Sequence, residues 1–178
     1  MKAIIFPGQG SQKAGMASEF ESNFKIVRDI FERVDEVLKF SLSKIILSGS
    51  DDDLVKTEIT QPAILTTSFA IFSVLKQEFN FDLSKIKFVA GHSLGEYSAL
   101  VASGSLSLES AVNLVHERGK LMQAAVPEGK GAMLAVMGLD TKELNFFLEK
   151  FDKKKGICEI ANDNSPGQII LSGNKETL

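Results

Sequence analysis

Residues 89–96 read Val89-Ala90-Gly91-His92-Ser93-Leu94-Gly95-Glu96. A short apolar run, Ile86 to Ala90, enters this stretch, and a helix-forming run from Glu96 to Ala102 leaves it. Gly91 to Gly95 is thus a Gly-x-Ser-x-Gly pentapeptide between a predicted strand and a predicted helix, the setting of a nucleophile elbow. A serine on so tight a turn takes a strained backbone conformation with its hydroxyl exposed. Glycines flank it because a Cβ there would collide with the adjoining strand and helix. The helix N-terminus just after Ser93 offers free N–H groups and partial positive charge where an oxyanion would develop. A glycine-rich strand-to-helix turn with an incidental serine is the bland alternative. The strand before and the helix after favour Ser93 as a nucleophile, and they put the chain in the α/β class.

Around that stretch lie 178 residues, enough for one domain or for one domain and part of a second. The fractions of hydrophobic (44%) and charged (24%) residues are those of a globular chain. A net charge of −3 leaves no basic stripe to track phosphates, which argues against nucleic acid as a partner. The one cysteine, Cys158, excludes an intrachain disulfide and fits a reducing compartment. Met1 to Phe6 is broken at once by Pro7-Gly8, too short a run for a signal peptide. No apolar stretch is expected to approach a membrane span. The expectation is a cytoplasmic protein without a membrane partner.

Taken in order, Lys2 to Phe6 reads as a buried strand that ends at Pro7-Gly8-Gln9-Gly10-Ser11-Gln12. This loop lacks the Walker lysine and the full G-x-G-x-x-G spacing, so phosphate binding is not indicated. It is either a tight turn or a loop whose N–H groups face the serine from a neighbouring strand. Phe24, Val27, Ile30, Phe31, Val34, Val37 and Leu38 recur at helical spacing and predict a surface helix over 23–38. Asp51-Asp52-Asp53 reads as a helix start rather than a metal site, because no further ligands sit at loop spacing. Thr60 as N-cap and Pro62 in the first turn predict a helix to about Phe79, apolar nearly all round and packed beneath the serine.

Beyond the elbow, Ser107 caps a helix whose apolar stripe is Leu108, Ala111, Val112, Val115, Gly119 and Met122. Arg118 lies on or beside that stripe, and an inward guanidinium needs an anionic partner. It is a snorkelling or internally paired arginine, or a fork for a substrate carboxylate. His116 sits about 200° round the helix from Arg118 and reads as a bystander. Pro127-Glu128-Gly129-Lys130-Gly131 is linker-like and divides the chain into 1–128 and 129–178. After it come a strand over 132–137, a helix capped by Asp140 or Thr141 and running to about Phe151, and strands over 156–161 and 168–171. This β-α-β-β order is the first part of a ferredoxin-like unit. Asn174 is expected to cap a further helix, so the sequence is expected to stop inside an element of a longer protein. Lys153-Lys154-Lys155 reads as a solvated loop, with an acidic carrier as the alternative docking reading.

A serine hydroxyl needs a base to take its proton. His92 adjoins Ser93 on a sharp turn where neighbouring side chains diverge, so it is a poor base and is retained as a substrate-contacting candidate. His116 lies on a remote helix. Neither supplies the base.

Gly8-Gln9-Gly10-Ser11-Gln12, Gly91-His92-Ser93-Leu94-Gly95-Glu96-Tyr97-Ser98-Ala99, Arg118-Gly119 and Asn162-Asp163-Asn164-Ser165-Pro166-Gly167-Gln168 occur in that order. With them the chain resembles the malonyl-CoA:acyl carrier protein transacylases of fatty acid synthesis, as the N-terminal part of a longer chain. Acyltransferase domains of polyketide synthases share much of the set. The resemblance implies a hydrolase-like parallel-sheet core with an inserted ferredoxin-like subdomain, present in part. It implies that Ser93 carries malonyl as an ester, that the Gln12 and Leu94 N–H groups form the oxyanion hole, and that Arg118 pairs with the malonyl carboxylate. Asn162 and Asn164 match a motif facing the cleft. The family's catalytic histidine would fall after Leu178. Malonyl-CoA and acyl carrier protein are the implied partners, with no metal or cofactor. Two other readings compete: a serine esterase or phospholipase-like hydrolase, for which an inward cation has no use with neutral esters, and an inactive fragment.

Overall fold

The computed structural model describes residues 2–178 apart from Glu128, with only the backbone of Lys153. The expected domain division at 128/129 therefore adjoins a residue outside the described ones. The chain forms two compact units, residues 1–122 and 123–178.

In the first unit, strand β1 (Lys2–Phe6) pairs in parallel with β2 (Ile86–Gly91), with Phe6 opposite Gly91. Between them run α1 (Ser18–Asn23), α2 (Lys25–Leu38), α3 (Leu42–Ser48), α4 (Asp51–Val55) and α5 (Thr57–Gln77). Helices α6 (Gly95–Ala102) and α7 (Leu108–Ala125) follow β2. The predicted stripe of α2 buries Val27, Ile30, Phe31 and Val34 against α5, the i, i+3, i+4, i+7 pattern of a helix with one inward face. The acid triplet opens α4, where Ser50 and Asp53 form a capping box.

Helix α5 begins at Thr57, earlier than expected, and Pro62 lies inside it. The hydroxyl of Thr60 donates to the Leu54 carbonyl instead of capping the helix. Contrary to expectation, α5 is by length and composition apolar enough to cross a membrane, because scattered Thr and Ser lower its mean hydropathy only slightly. Of that apolar window 67% is buried inside the unit, as in a core helix.

One face of the strand pair packs on the helices through Ile4, Phe6, Phe72 and Ala99. The other carries Ile5, 75% exposed, and Phe88, 59% exposed. Lys2–Phe6 is thus buried only at Phe6, not along its length. Parallel strands are buried when both faces are covered, and in this chain helices cover one.

In the second unit β3 (Gly131–Met137), β5 (Gln168–Asn174) and β4 (Cys158–Ser165) form an antiparallel sheet in that spatial order. Helix α8 (Thr141–Glu149) is capped by Asp140, in a capping box with Glu143, and buries Leu144 against Ile169 and Leu171. Both hairpin strands run longer than predicted, since β4 continues through two irregularities to the Pro166-Gly167 turn. Gly167 has φ +78° after a proline, the type II arrangement. Asn174 does not cap a helix: its side-chain carbonyl accepts the Ile157 N–H at 2.6 Å, and a turn follows. The fold is α/β, with a small parallel sheet and a three-stranded antiparallel one.

Candidate active site

Ser93 stands exposed at the turn between β2 and α6 with φ +50°, a left-handed conformation unusual for a residue with a side chain. The steric reason for its glycines is direct. A Cβ on Gly91 would overlap the Gly95 carbonyl, and one on Gly95 would overlap the Phe6 carbonyl. The turn closes through Gly95 N–H to the His92 carbonyl (2.9 Å) and Glu96 N–H to the Ser93 carbonyl (3.1 Å). The Leu94 N–H takes no part in these turn bonds, while the Leu94 side chain is fully buried in the main core and pins the turn to the helices.

The loop after β1 lies against the elbow. His92 N–H donates to the Phe6 carbonyl at 3.2 Å, and a Cβ on Gly8 would come within 2.7 Å of the His92 carbonyl oxygen. Half-buried Gln12 folds its side-chain carbonyl back onto the Gly10 N–H at 2.8 Å, so the loop is held by its own bonds.

Arg118 reaches the same place from α7. Its Nη2 donates to Ser93 Oγ at 3.1 Å and its Nη1 to Gln61 Oε1 at 2.5 Å, with the guanidinium 5.8 Å from the Tyr97 ring centroid. Gly119 makes this reach possible: a Cβ there would meet Glu58 Cα at 2.5 Å, so α7 touches the start of α5. Among the described residues no carboxylate pairs with Arg118. The internal-salt-bridge reading of this arginine finds no partner among those residues.

His116 has a structural task that the sequence reading missed. Pro62 has no N–H to give the Glu58 carbonyl four residues back, and His116 Nδ1 donates to that carbonyl instead, at 2.9 Å. Asn162 and Asn164 lie on β4 of the second unit, Asn162 half-buried opposite Ile170. Lys154 and Lys155 are exposed within a short 3-10 turn, Lys153–Lys155; the Lys153 side chain lies outside the described residues. A separate apolar cavity of about 360 Å³ lies between β1 and α5, and neither Ser93 nor Arg118 lines it.

A strained, exposed serine beside an unneutralised arginine is a constellation for acyl chemistry on an anionic group. Residues 3–178 match the acyl transferase domain family. The chain belongs to that family. Over 173 residues it is 44% identical to the malonyl CoA-acyl carrier protein transacylase of Bacillus subtilis, covering 96% of this chain and 53% of that protein. The acyl-carrier-protein-S-malonyltransferase of Bartonella henselae superposes with a TM-score of 0.92 at 45% identity, over 99% of this chain and 56% of that one. A malonyl-transacylase solved in complex with its type II PKS acyl-carrier protein superposes with a TM-score of 0.90 at 41% identity, over 98% and 55%. This acyl transferase chain thus spans about half the length of the relatives it matches. Gln61 is the site residue that sequence reading missed. An amide next to the proline at the head of a largely apolar helix was its only signal, since a buried amide must have a partner.

Proposed function

We propose that the protein transfers malonyl from malonyl-CoA to the phosphopantetheine thiol of acyl carrier protein, in type II fatty acid synthesis in the cytoplasm. Ser93 Oγ attacks the thioester carbonyl and its proton passes to a base. The tetrahedral oxyanion is held by the N–H groups of Gln12 and Leu94, and collapse expels the coenzyme A thiolate, which takes up a proton. The carrier thiol then attacks the malonyl-serine ester and regenerates Ser93. No metal or cofactor enters this scheme. Neither histidine described above is the base: His116 is committed to the Glu58 carbonyl, and His92 adjoins the nucleophile. The base that the family resemblance implies is a histidine to which neither His92 nor His116 corresponds. His92, Asn162 and Asn164 remain substrate-contacting candidates. The parallel strand pair is read as part of a hydrolase-like core over 1–128, and residues 129–178 as the first part of a ferredoxin-like subdomain.

One observation carries this reading: the Arg118 guanidinium lies 3.1 Å from Ser93 Oγ with no carboxylate among the described residues paired to it. In a malonyl ester the free carboxylate is only two carbons from the ester oxygen, so a cation at that distance suits a malonyl group and has no use for a neutral one. It also supports acyl transfer over a hydrolase of neutral esters. Arg118→Ala should lower acylation by malonyl-CoA roughly ten- to a hundredfold, as for a lost charged hydrogen bond, and leave acetyl-CoA nearly unchanged. Equal losses for both thioesters would remove the carboxylate clamp.

A further inference from the structure

We propose that Gln61 is a positioning residue that fixes the Arg118 guanidinium without neutralising it, and so sets the preference for an anionic acyl group. The inference rests on the reading that Arg118 receives the substrate carboxylate.

Gln61 is completely buried, one turn into the helix that forms the centre of the first unit. Its amide orientation is fixed by chemistry. An arginine nitrogen only donates, so the atom 2.5 Å from Nη1 is the oxygen. The amide nitrogen then faces the Met122 sulfur at 3.3 Å, a weak acceptor. The guanidinium is therefore spanned between two neutral oxygens, Gln61 Oε1 on one nitrogen and Ser93 Oγ on the other, with the Tyr97 ring beside it. All three partners orient the cation and none cancels its charge.

Arg118 is half-buried, and an arginine partly withdrawn from water is ordinarily held by a carboxylate, because an unpaired charge costs more the less it is solvated. Here a carboxylate in place of Gln61 would satisfy the guanidinium within the protein and repel a second anion. An apolar side chain would leave the fork unanchored. The amide does neither: it is the smallest change from glutamate that keeps the hydrogen bond and gives up the charge. The serine-facing nitrogen can then exchange its contact with Ser93 Oγ for the carboxylate of the acyl group once the ester has formed.

The test is the concentration dependence of acylation rates for malonyl-CoA and acetyl-CoA in the full-length protein, for wild type, Gln61→Glu, Gln61→Met and Arg118→Ala, with thermal midpoints measured alongside. Gln61→Glu should weaken the malonyl-CoA dependence about tenfold or more, through the half-saturating concentration, while acetyl-CoA changes by no more than about threefold. Gln61→Met, whose arginine is loosened but still charged, should lose less and keep a malonyl preference; it carries the test if the glutamate variant does not fold. Parallel losses for both thioesters in either variant would show that Gln61 serves only the fold, and an unchanged ratio in both would overturn the proposal. If Arg118→Ala itself leaves the ratio unchanged, the carboxylate clamp falls and this inference with it. A shifted ratio in Arg118→Ala alone would sink only the role of Gln61.

Discussion

Ser93 holds a left-handed backbone angle, φ +50°, that costs a residue with a side chain about 1 kcal/mol or more. The conformation persists because its surroundings over-determine it: Leu94 is fixed in the core, and Gly91 and Gly95 let β2, α6 and the end of β1 meet at backbone contact. Replacing Gly95 by alanine should destabilise the unit by about 1–3 kcal/mol, because the obstructing atoms are backbone carbonyls that cannot rotate away. Urea unfolding with Gly95→Ala measures it, and wild-type stability in that variant would mean the strand and helix are not so closely packed. The Gly91 part of this logic was legible in the sequence, since its collision with Gly95 lies within five positions, whereas the Phe6 carbonyl that excludes a Cβ at Gly95 comes from a strand far back in the chain. Arg118 was legible as far as its face of the helix. Its partner was not, because Gln61 is 57 positions away and nothing local links the two.

At the scale of elements, helix α5 explains why sequence reading placed its start wrongly. Proline favours a first turn, so Pro62 drew the predicted N-cap to Thr60. Helix α5 instead starts at Thr57 and leaves the Glu58 carbonyl for a side chain of α7 to satisfy. His116→Ala should cost about 1 kcal/mol for that half-buried acceptor, and Pro62→Ala, which restores an N–H four residues on, should make the same histidine substitution cheaper. Additive effects in the double-mutant cycle would refute the link. A second tie joins α2 to α7, where Arg33 bonds Glu109 and holds its carboxyl below the usual range. A depressed carboxylate stabilises above its unfolded value and loses that contribution as pH falls through its folded one. The pair is largely exposed, so Arg33→Ala should lower the thermal midpoint only slightly at neutral pH, and the difference should vanish in acid. A difference that persists in acid would assign the effect to packing.

Across the whole molecule, the class of the fold and the order of its strands and longer helices followed from punctuation and periodicity, while the short helices α1 and α3 were not foreseen. Pro7-Gly8, the elbow glycines and the Pro166-Gly167 turn all lie at element ends. Exposure did not follow in the same way. Runs such as Lys2–Phe6 and Ile86–Ala90 have the composition of buried parallel strands, yet Ile5 and Phe88 share an uncovered face, since burial depends on which other elements are present to cover a strand. The apolar character of α5 was legible in the same composition, and its burial came from the helices packed around it. Residue and element meet in one site: a strained serine held where the Arg118 guanidinium can receive an acyl carboxylate. Its most direct measurement is the intact mass of the protein after incubation with malonyl-CoA, with Ser93→Ala in parallel. One malonyl adduct is expected on the wild type and none on the variant. An adduct that survives in Ser93→Ala, or none on either protein, would contradict this reading of the site.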